Sequence, residues 1–207
     1  MIRYDMPQGD PEWFAARLGL PTSSQFHRLL SAKTLKPSTG AKGYLHELLA
    51  ELYLGENQDP SGGSEYMVRG TSLEPEAVRY YEMQRDTECE VVGFCTTDDG
   101  MVGCSPDRLV GEDGLLEVKC PAGKVHIGYL LGEDAHKHRA QVQGQMWVTG
   151  RAYCDLLIYS PFLPPSLTRH EVDEEWVEAF EPALATFLAQ LADARTRLDM
   201  MGLEVIQ

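Results

Sequence analysis

The segment CSPDRLVGEDGLLEVKC, residues 104–120, restricts how this chain can fold more than any other stretch. It has the pattern of two short β-strands joined by the tight turn GEDG, and the second strand is apolar apart from Glu117 and Lys119. Because side chains alternate between the two faces of a strand, Glu117 and Lys119 point the same way. The hairpin also brings Asp107 of the first strand within their reach. The segment therefore predicts two carboxylates and one amine on a single surface of a sheet.

This cluster has the composition of a site for a hard divalent cation. Mg²⁺ is typically held by one or two carboxylates together with substrate phosphates. A second interpretation stays open, because Asp, Glu and Lys on hairpin strands are often simply solvated. The apolar run around Glu117 and Lys119 favours the metal site, since buried charges are costly unless they are paired or bind a metal ion.

Length and composition indicate one soluble domain. The chain has 207 residues, 43% of them hydrophobic, so a single domain over residues 1–207 can bury a sizeable core. It contains no apolar run long enough to span a bilayer and no secretory signal, so we expect a cytoplasmic protein without a membrane partner. The five cysteines form no C-x-x-C pair, which argues for reduced thiols and against a disulfide framework, a zinc site or an iron–sulfur cluster.

Charge is distributed unevenly along the chain, which carries 18 basic and 32 acidic residues for a formal net charge of −14. Residues 17–46 contain five basic residues and no acidic one, and residues 119–151 contain five basic against two acidic. Residues 173–207, in contrast, contain eight acidic and two basic residues. This segregation indicates a basic surface for a polyanion on a body that otherwise repels one, although a solvated basic face explains the first stretch equally well.

The N-terminal half is predicted to be mainly helical. A helix over residues 25–31 would be capped by the hydroxyl side chains of residues 22–24. A later helix is predicted to begin after residues 71–72, which offer a Thr or Ser cap. This start puts Glu74 and Pro75 in the first helical turn, where the missing N–H of proline does no harm.

The second half changes to a β pattern and then returns to helix. Three β-rich runs between residues 90 and 119, separated by tight turns, predict an antiparallel meander. An amphipathic helix is predicted to end at Gly150 and to be followed by an apolar strand over residues 152–161 with a hairpin partner over residues 167–173. A long amphipathic helix over residues 174–200 closes the chain. Helices around a central mixed sheet give an α/β sandwich.

Several motifs resemble those of one nuclease superfamily. Asp107, Glu117 and Lys119 within SPDRLVGEDGLLEVKCP resemble the catalytic motif of the PD-(D/E)XK nucleases. RLGLPTSSQF, RGTSLEPEA and AQVQGQMWVTG are similar to motifs of the lambda exonuclease branch, the YqaJ-type viral recombinases. The resemblance extends from about Trp13 to the last helix. It implies a restriction-endonuclease-like core, in which helices flank a central mixed β-sheet.

The resemblance implies an activity and its partners. It implies a Mg²⁺-dependent enzyme, with two metal ions for which Mn²⁺ can substitute, that degrades one strand of linear duplex DNA processively from its 5′ end. Mononucleotides would be released, and the remaining 3′ single strand would serve recombination. A homotrimeric ring around the DNA and a single-strand annealing protein are the implied assembly and partner. The setting would be the cytoplasm of a bacterial host, with a phage or prophage origin.

The resemblance also assigns roles to residues of the cluster. Asp107, Glu117 and the backbone carbonyl of Val118 would bind metal. Lys119 would orient or deprotonate the attacking water, and Glu74 would hold a second metal ion through water. All of these positions match the family's motifs.

Three more positions are assigned on the same basis. Gln141 matches the motif glutamine of the helix that follows the core. Gln145 stands where the superfamily often has tyrosine, which leaves its role open. Arg108 stands where the family has glycine, and we expect its side chain to point away from Asp107 with little effect.

DNA contacts are implied for hydroxyl-bearing and basic residues. Arg17 and Ser24 match the positions that receive a terminal 5′-phosphate. The other candidates for DNA contact, most of them in the basic stretches, are Thr22, Arg28, Lys33, Lys36, Lys42, Lys124, His126 and Arg139.

Two other functions stay open at this point. An endonuclease of the same superfamily, directed by DNA structure or sequence, would share the cluster but would also cut closed circular DNA. A non-enzymatic acidic DNA mimic would use the net charge of −14 and would need no metal.

Overall fold

The strands form two sheets in the computed structural model, which describes residues 1–58, 65–133 and 136–206. In chain order the strands are β1 (Ile2–Tyr4), β2 (Cys89–Glu90), β3 (Phe94–Thr96), β4 (Gly103–Cys104), β5 (Arg108–Val110), β6 (Gly114–Lys119), β7 (Tyr153–Ile158) and β8 (Ser166–Glu171). The larger sheet has the order β2-β5-β6-β7-β8, and the smaller has the order β1-β3-β4. Only β6 and β7 pair in parallel among these described strands; the other neighbours are antiparallel.

Helices cover both faces of the larger sheet. They are α1 (Pro11–Arg17), a 3-10 helix (Ser23–Arg28), α2 (Ala41–Leu54), α3 (Glu65–Arg85), α4 (Gly123–Leu130), α5 (Arg139–Thr149) and α6 (Glu174–Met200). Helix α3 packs on one face against Leu116, Val118 and Leu157. Leu115 and Cys154 on the other face belong to the core formed with α2, α5 and α6. The predicted fold class, a mixed sheet between helices, is confirmed.

The central position of β6 determines where the charged residues lie. Leu116 and Val118 face α3, so the alternating residues Leu115 and Glu117 face α5. The chain then returns through α4 and α5 to the parallel strand β7, as a parallel connection requires. As a result the C-terminal end of β6 is bordered by α3, α4 and α5.

The predicted helix over residues 25–31 is wrong in type and extent. The observed segment is a 3-10 helix that ends at Arg28, and Thr22 makes no side-chain capping hydrogen bond. The next residues pair with a later part of the chain instead: the Ser31 N–H donates to the Lys36 carbonyl, and the Ser38 N–H donates to the Leu29 carbonyl. These hydrogen bonds end the helix early.

The predicted start of α3 is also wrong. The helix begins at Glu65, so Thr71 and Ser72 lie within it instead of capping it, and Pro75 is inside the helix. Proline removes one backbone hydrogen bond and is disfavoured in a helix interior. For this reason the sequence favours a helix that starts just before Pro75. Glu74 therefore projects from the body of a helix of 21 residues.

The predicted meander is split between the two sheets. Strand β4 belongs to the smaller sheet and β5 to the larger one, with Pro106 between them. Proline has no N–H for a ladder, and the Pro106 carbonyl instead accepts a hydrogen bond of 2.8 Å from Gln8 Nε2. The elements predicted after residue 138 agree with the structure: α5 ends at Gly150, β7 and β8 pair, and α6 spans residues 174–200.

Across the described residues, no helix combines the length and the apolar character needed to cross a membrane.

Candidate active site

A cavity of about 460 Å³ lies at the C-terminal end of β6. Glu74 of α3, Asp107 and Lys119 contribute its charged wall. Val125 and Tyr129 of α4 contribute a more apolar wall. The sheet therefore brings together predicted residues that are up to 45 positions apart in the sequence.

Asp107 is held against β6. Its Oδ2 accepts a hydrogen bond of 2.6 Å from the backbone N–H of Val118. Burial raises the pKa of the Asp107 carboxyl well above its usual range, and the nearby negative charges of Glu117 and Glu74 add to this effect against the opposing charge of Lys119. The ionised form of Asp107 is therefore less favourable here than it is in water.

Glu117 is fixed by two glutamines and a lysine. Its side chain is buried, with 1% exposure, and it faces α5. Oε1 accepts a hydrogen bond of 2.6 Å from Gln141 Nε2 and also contacts Lys119 Nζ. Oε2 accepts a hydrogen bond of 2.6 Å from Gln145 Nε2. Because Gln141 and Gln145 are one helical turn apart, they donate hydrogen bonds to the two oxygens of Glu117 from the same face of α5.

Lys119 carries a positive charge as long as only protein groups surround it. Burial lowers the pKa of Lys119, but the charges of Glu117 and Asp107 and the hydrogen bond to Glu117 outweigh burial and raise the pKa above its usual value. The prediction that Lys119 acts as a base depends on bound cations that would oppose these carboxylates, and it stays a prediction.

Arg108 takes part in the site, which the sequence did not indicate. Its Nη1 lies 2.8 Å from Glu74 Oε1 and also donates to the backbone carbonyl of Asp107. The side chain of Arg108 crosses to α3 and pairs with a carboxylate that lines the cavity, so the expectation that it points away from the site is wrong.

The chemistry of the donors fits a hard divalent cation. Glu74, Asp107 and Glu117 supply carboxylate oxygens, and the strand between them supplies backbone carbonyls, which suits Mg²⁺ or Mn²⁺ better than a softer metal. No preformed group of three His, Cys, Asp or Glu ligands occurs in the described parts of the chain. Mg²⁺ usually keeps several waters and needs only one or two carboxylates, so this arrangement still fits it.

A smaller cavity of about 50 Å³ lies beside the 3-10 helix. Arg17 and Thr22 line it together with Glu47 and Glu51. The Arg17 guanidinium stacks 3.9 Å from the centroid of the Trp13 ring. The hydroxyls of Thr22 and Ser24 are 3.4 Å apart. Of the predicted DNA contacts, Arg17 and Thr22 thus share a cavity with two carboxylates, and Ser24 lies next to Thr22.

Comparison with known proteins assigns the chain to a family. The sequence model of the YqaJ-like viral recombinase domain matches residues 12–152. The chain belongs to this family. Among curated proteins none matches the sequence.

Solved structures agree with the family. The chain is similar to an alkaline exonuclease, LHK-Exo, from Laribacter hongkongensis, with a TM-score of 0.82 at 32% identity over 93% of this chain and 98% of that chain. The complex of LHK-Exo with dAMP gives a TM-score of 0.81 at 33% identity over the same shares of each chain. A phage-related exonuclease from Haemophilus somnus shares the fold, with a TM-score of 0.68 at 14% identity over 86% of this chain and 96% of that one. As a member of this family, the protein is a recombination-related nuclease.

The remaining predicted DNA contacts differ in exposure. Lys33, Lys36, Lys42 and Lys124 are exposed. Arg28 is paired instead, since its Nη1 lies 2.7 Å from Glu47 Oε2.

Two predicted contacts are engaged inside the protein. His126 is fully buried, and its Nε2 lies 2.9 Å from the Pro164 carbonyl. Arg139 Nε donates to Asp173 Oδ2 at 2.9 Å, and its Nη1 donates to the Ala32 carbonyl. A surface role for His126 or Arg139 does not agree with these contacts, because both side chains hold elements of the fold together.

Two further cavity residues were not singled out from the sequence as site residues. His138 Nε2 is 2.6 Å from the Tyr129 hydroxyl, and both residues line the larger cavity. Burial, with the charges of Lys119 and Lys137, lowers the pKa of His138 to about 3, so its imidazole is neutral at pH 7. The available signal was its spacing: His138 is three residues before Gln141 and seven before Gln145, on the same helix face.

Proposed function

We propose that this protein is a Mg²⁺-dependent 5′-to-3′ exonuclease that degrades one strand of linear double-stranded DNA and releases mononucleotides. The observation that carries the proposal is the arrangement of Asp107, Glu117, Lys119 and Glu74 around the end of one strand, on a fold shared with an alkaline exonuclease at 32% identity. The 3′ single strand left behind would be the substrate for recombination by annealing.

The protein groups have separate tasks in the proposed reaction. Asp107, Glu117 and the Val118 carbonyl would hold divalent metal, and Glu74 would hold a second ion through water. When bound, two such ions supply an activated water and stabilisation of the leaving oxygen for an in-line displacement. Lys119 orients the water whose oxygen attacks phosphorus while the bond from phosphorus to the 3′-oxygen breaks. Gln141 and Gln145 keep Glu117 in place throughout.

Recognition of the DNA end belongs to the smaller cavity in this proposal. Arg17, Thr22 and Ser24 would receive the terminal 5′-phosphate, and the exposed lysines would contact the backbone. A homotrimeric ring, with a single-strand annealing protein as partner, would keep the enzyme on its DNA in the cytoplasm of a bacterial host. A particle mass in solution of three times the 23.1 kDa chain would support the ring.

Digestion of defined DNA tests the proposal. Linear duplex carrying a 5′-phosphate should be degraded in the presence of Mg²⁺, linear duplex with a 5′-hydroxyl more slowly, and closed circular duplex not at all. A label placed at each end in turn reports which strand is lost, and Asp107→Asn is the inactive control. Cutting of the closed circle would favour the endonuclease, and DNA binding without any cleavage by the wild type would contradict a nuclease of either kind.

A further inference from the structure

We propose that Arg108 is a positioning residue that holds Glu74 in the cavity before metal and DNA arrive. The inference rests on the proposed function, because it concerns the metal site proposed above. Arg108 and Glu74 form an ion pair of 2.8 Å, and their side chains are only 17% and 30% exposed. Arg108 is not among the described residues that line the 460 Å³ cavity, whereas Glu74 is. It therefore acts through Glu74.

Glu74 needs such a partner because a second carboxylate, that of Asp107, lines the same cavity. Asp107 shares the cavity, and the charge of Glu74 contributes to the raised pKa of Asp107, so the two carboxylates are within electrostatic reach of each other. A partly exposed glutamate with a like charge beside it lowers its energy by rotating towards water. The guanidinium of Arg108 opposes that rotation.

Arginine suits this position for geometric reasons. Its planar guanidinium presents several donors in fixed directions, so it can serve two acceptors together. Here Nη1 donates both to Glu74 Oε1 on α3 and to the carbonyl of Asp107, the preceding residue in the chain. One side chain thereby sets the position of Glu74 relative to Asp107. Lysine carries the same charge on a flexible stem, without donors held in one plane.

The consequence is a preorganised site whose metal affinity depends on Arg108. Groups that orient metal ligands typically contribute 10-fold to 100-fold to metal affinity. We therefore expect Arg108→Ala to bind Mn²⁺ about tenfold more weakly than the wild type, at the lower end of that range because Glu74 acts through water. Arg108→Lys should recover part of the loss.

Titration of the full chain with Mn²⁺ in the absence of DNA, followed by calorimetry, tests this directly. Glu74→Gln should weaken binding at least as much as Arg108→Ala, and the double variant should bind as Glu74→Gln does, since Arg108 acts only through Glu74. The matched control is Arg3→Ala, which removes the exposed ion pair with Glu90, outside the lining of the cavity, and should leave Mn²⁺ affinity unchanged.

The outcomes separate this inference from the proposed function. Unchanged or tighter Mn²⁺ binding by Arg108→Ala, or fully additive losses in the double variant, would overturn the positioning role. Asp107→Asn decides the metal site itself: if that variant also keeps full Mn²⁺ affinity, the proposed function fails and not merely the role of Arg108. Should Arg108→Ala fail to fold, the comparison of Arg108→Lys with Glu74→Gln carries the same decision.

Discussion

At the scale of single residues, Gln145 is the side chain whose role the sequence left open and the contacts define. It is fully buried. Its amide nitrogen donates a hydrogen bond to one oxygen of Glu117, and its amide oxygen accepts one from the thiol of Cys154. Gln145 therefore orients the proposed metal ligand and connects it to β7.

Replacement of Gln145 by leucine should loosen Glu117. The variant leaves a buried carboxylate oxygen without its donor, which costs about 1–3 kcal/mol of folding stability. We also expect Mn²⁺ affinity to fall about tenfold, because an orienting partner of a metal ligand is lost. Calorimetric titration gives the affinity, and urea unfolding gives the stability.

Gln143→Leu is the matched control for that experiment. Gln143 is also a buried glutamine of α5, but it bonds to the Glu171 carbonyl and the Asp173 N–H, away from the cavity. It should lower stability to a similar extent without changing Mn²⁺ affinity. Equal affinity losses in both variants would mean that Gln145 acts only by supporting the helix.

Lys119→Ala tests the proposed chemical role of the amine. General acid–base groups typically contribute about 10²–10⁴-fold to rate, so single-turnover cleavage of linear duplex should fall within that range. The Mn²⁺ affinity should not fall, because the variant removes a positive charge from beside Glu117. Cleavage at the wild-type rate would eliminate Lys119 from the reaction.

At the scale of elements, a buried ion pair joins β7, β8 and α3. Asp155 of β7 has no exposed surface, and Arg169 of β8 donates to both of its oxygens, at 2.9 and 2.8 Å. The Tyr81 hydroxyl of α3 donates to the same carboxylate at 2.7 Å. This network lies on the face of the sheet opposite Glu117, so it stabilises the fold without contacting the site.

Arg169→Leu should destabilise the fold in a pH-dependent way. Burial alone would raise the pKa of Asp155, but the bonds from Arg169 and Tyr81 and the charges of Arg169 and Arg85 outweigh it and lower the pKa. A lowered pKa means that the carboxylate stabilises the fold above its ordinary value of about 3.9, and that this contribution is lost as the pH falls further.

The expected loss at pH 7 is about 3 kcal/mol, at the low end for a broken buried ion pair because Arg169 is 42% exposed. Urea unfolding at several pH values between 7 and 3 measures it. The difference from the wild type should be largest at neutral pH and should shrink below about pH 4. Arg3→Ala, which breaks the exposed pair with Glu90, should change stability little at any of these pH values. A loss of equal size across the whole range would contradict the sign given to Asp155.

The sequence predicts elements whose information is local. Helices α5 and α6 follow from periodic apolar residues, and α5 ends at Gly150, whose φ of 69° is in the left-handed region that favours glycine. The pairing of Glu117 with Lys119 follows from strand alternation alone. Local patterns of this kind need no knowledge of the rest of the molecule.

The features that the sequence does not reveal depend on distant partners. The contact of Arg108 with Glu74 joins residues 34 positions apart on a strand and a helix. The carbonyl of Pro106, at the break of the β run, accepts a hydrogen bond from Gln8, 98 residues earlier. The 3-10 helix packs under Tyr44, whose hydroxyl accepts the Thr22 N–H. None of these contacts has a periodic signature, so pattern analysis could not have found them.

At the scale of the whole molecule, the difficulty is how a chain with a net charge of −14 approaches DNA. Arg28 and Arg139 are paired with acidic residues, so neither has its full charge available for DNA. Lys33, Lys36 and Lys42 are exposed, in the acid-free stretch that also contains Arg17. We expect these three lysines to provide most of the attraction for the DNA backbone near the smaller cavity. That residues 1–207 form a single domain stays a prediction.

Replacement of all three lysines by alanine should therefore weaken DNA binding and reduce its salt dependence. Each lost phosphate contact lowers the slope of log affinity against log salt by about 0.9 on duplex DNA, so the slope should fall by up to about 2.7. Fluorescence anisotropy with a linear duplex in Ca²⁺, at several salt concentrations, measures it. The control replaces Arg195 and Arg197, two exposed arginines of the acidic C-terminal stretch, with alanine. Since that stretch should face away from DNA, the control should keep the wild-type slope, and equal slopes in the two variants would mean that attraction comes from the overall charge and not from the basic loop.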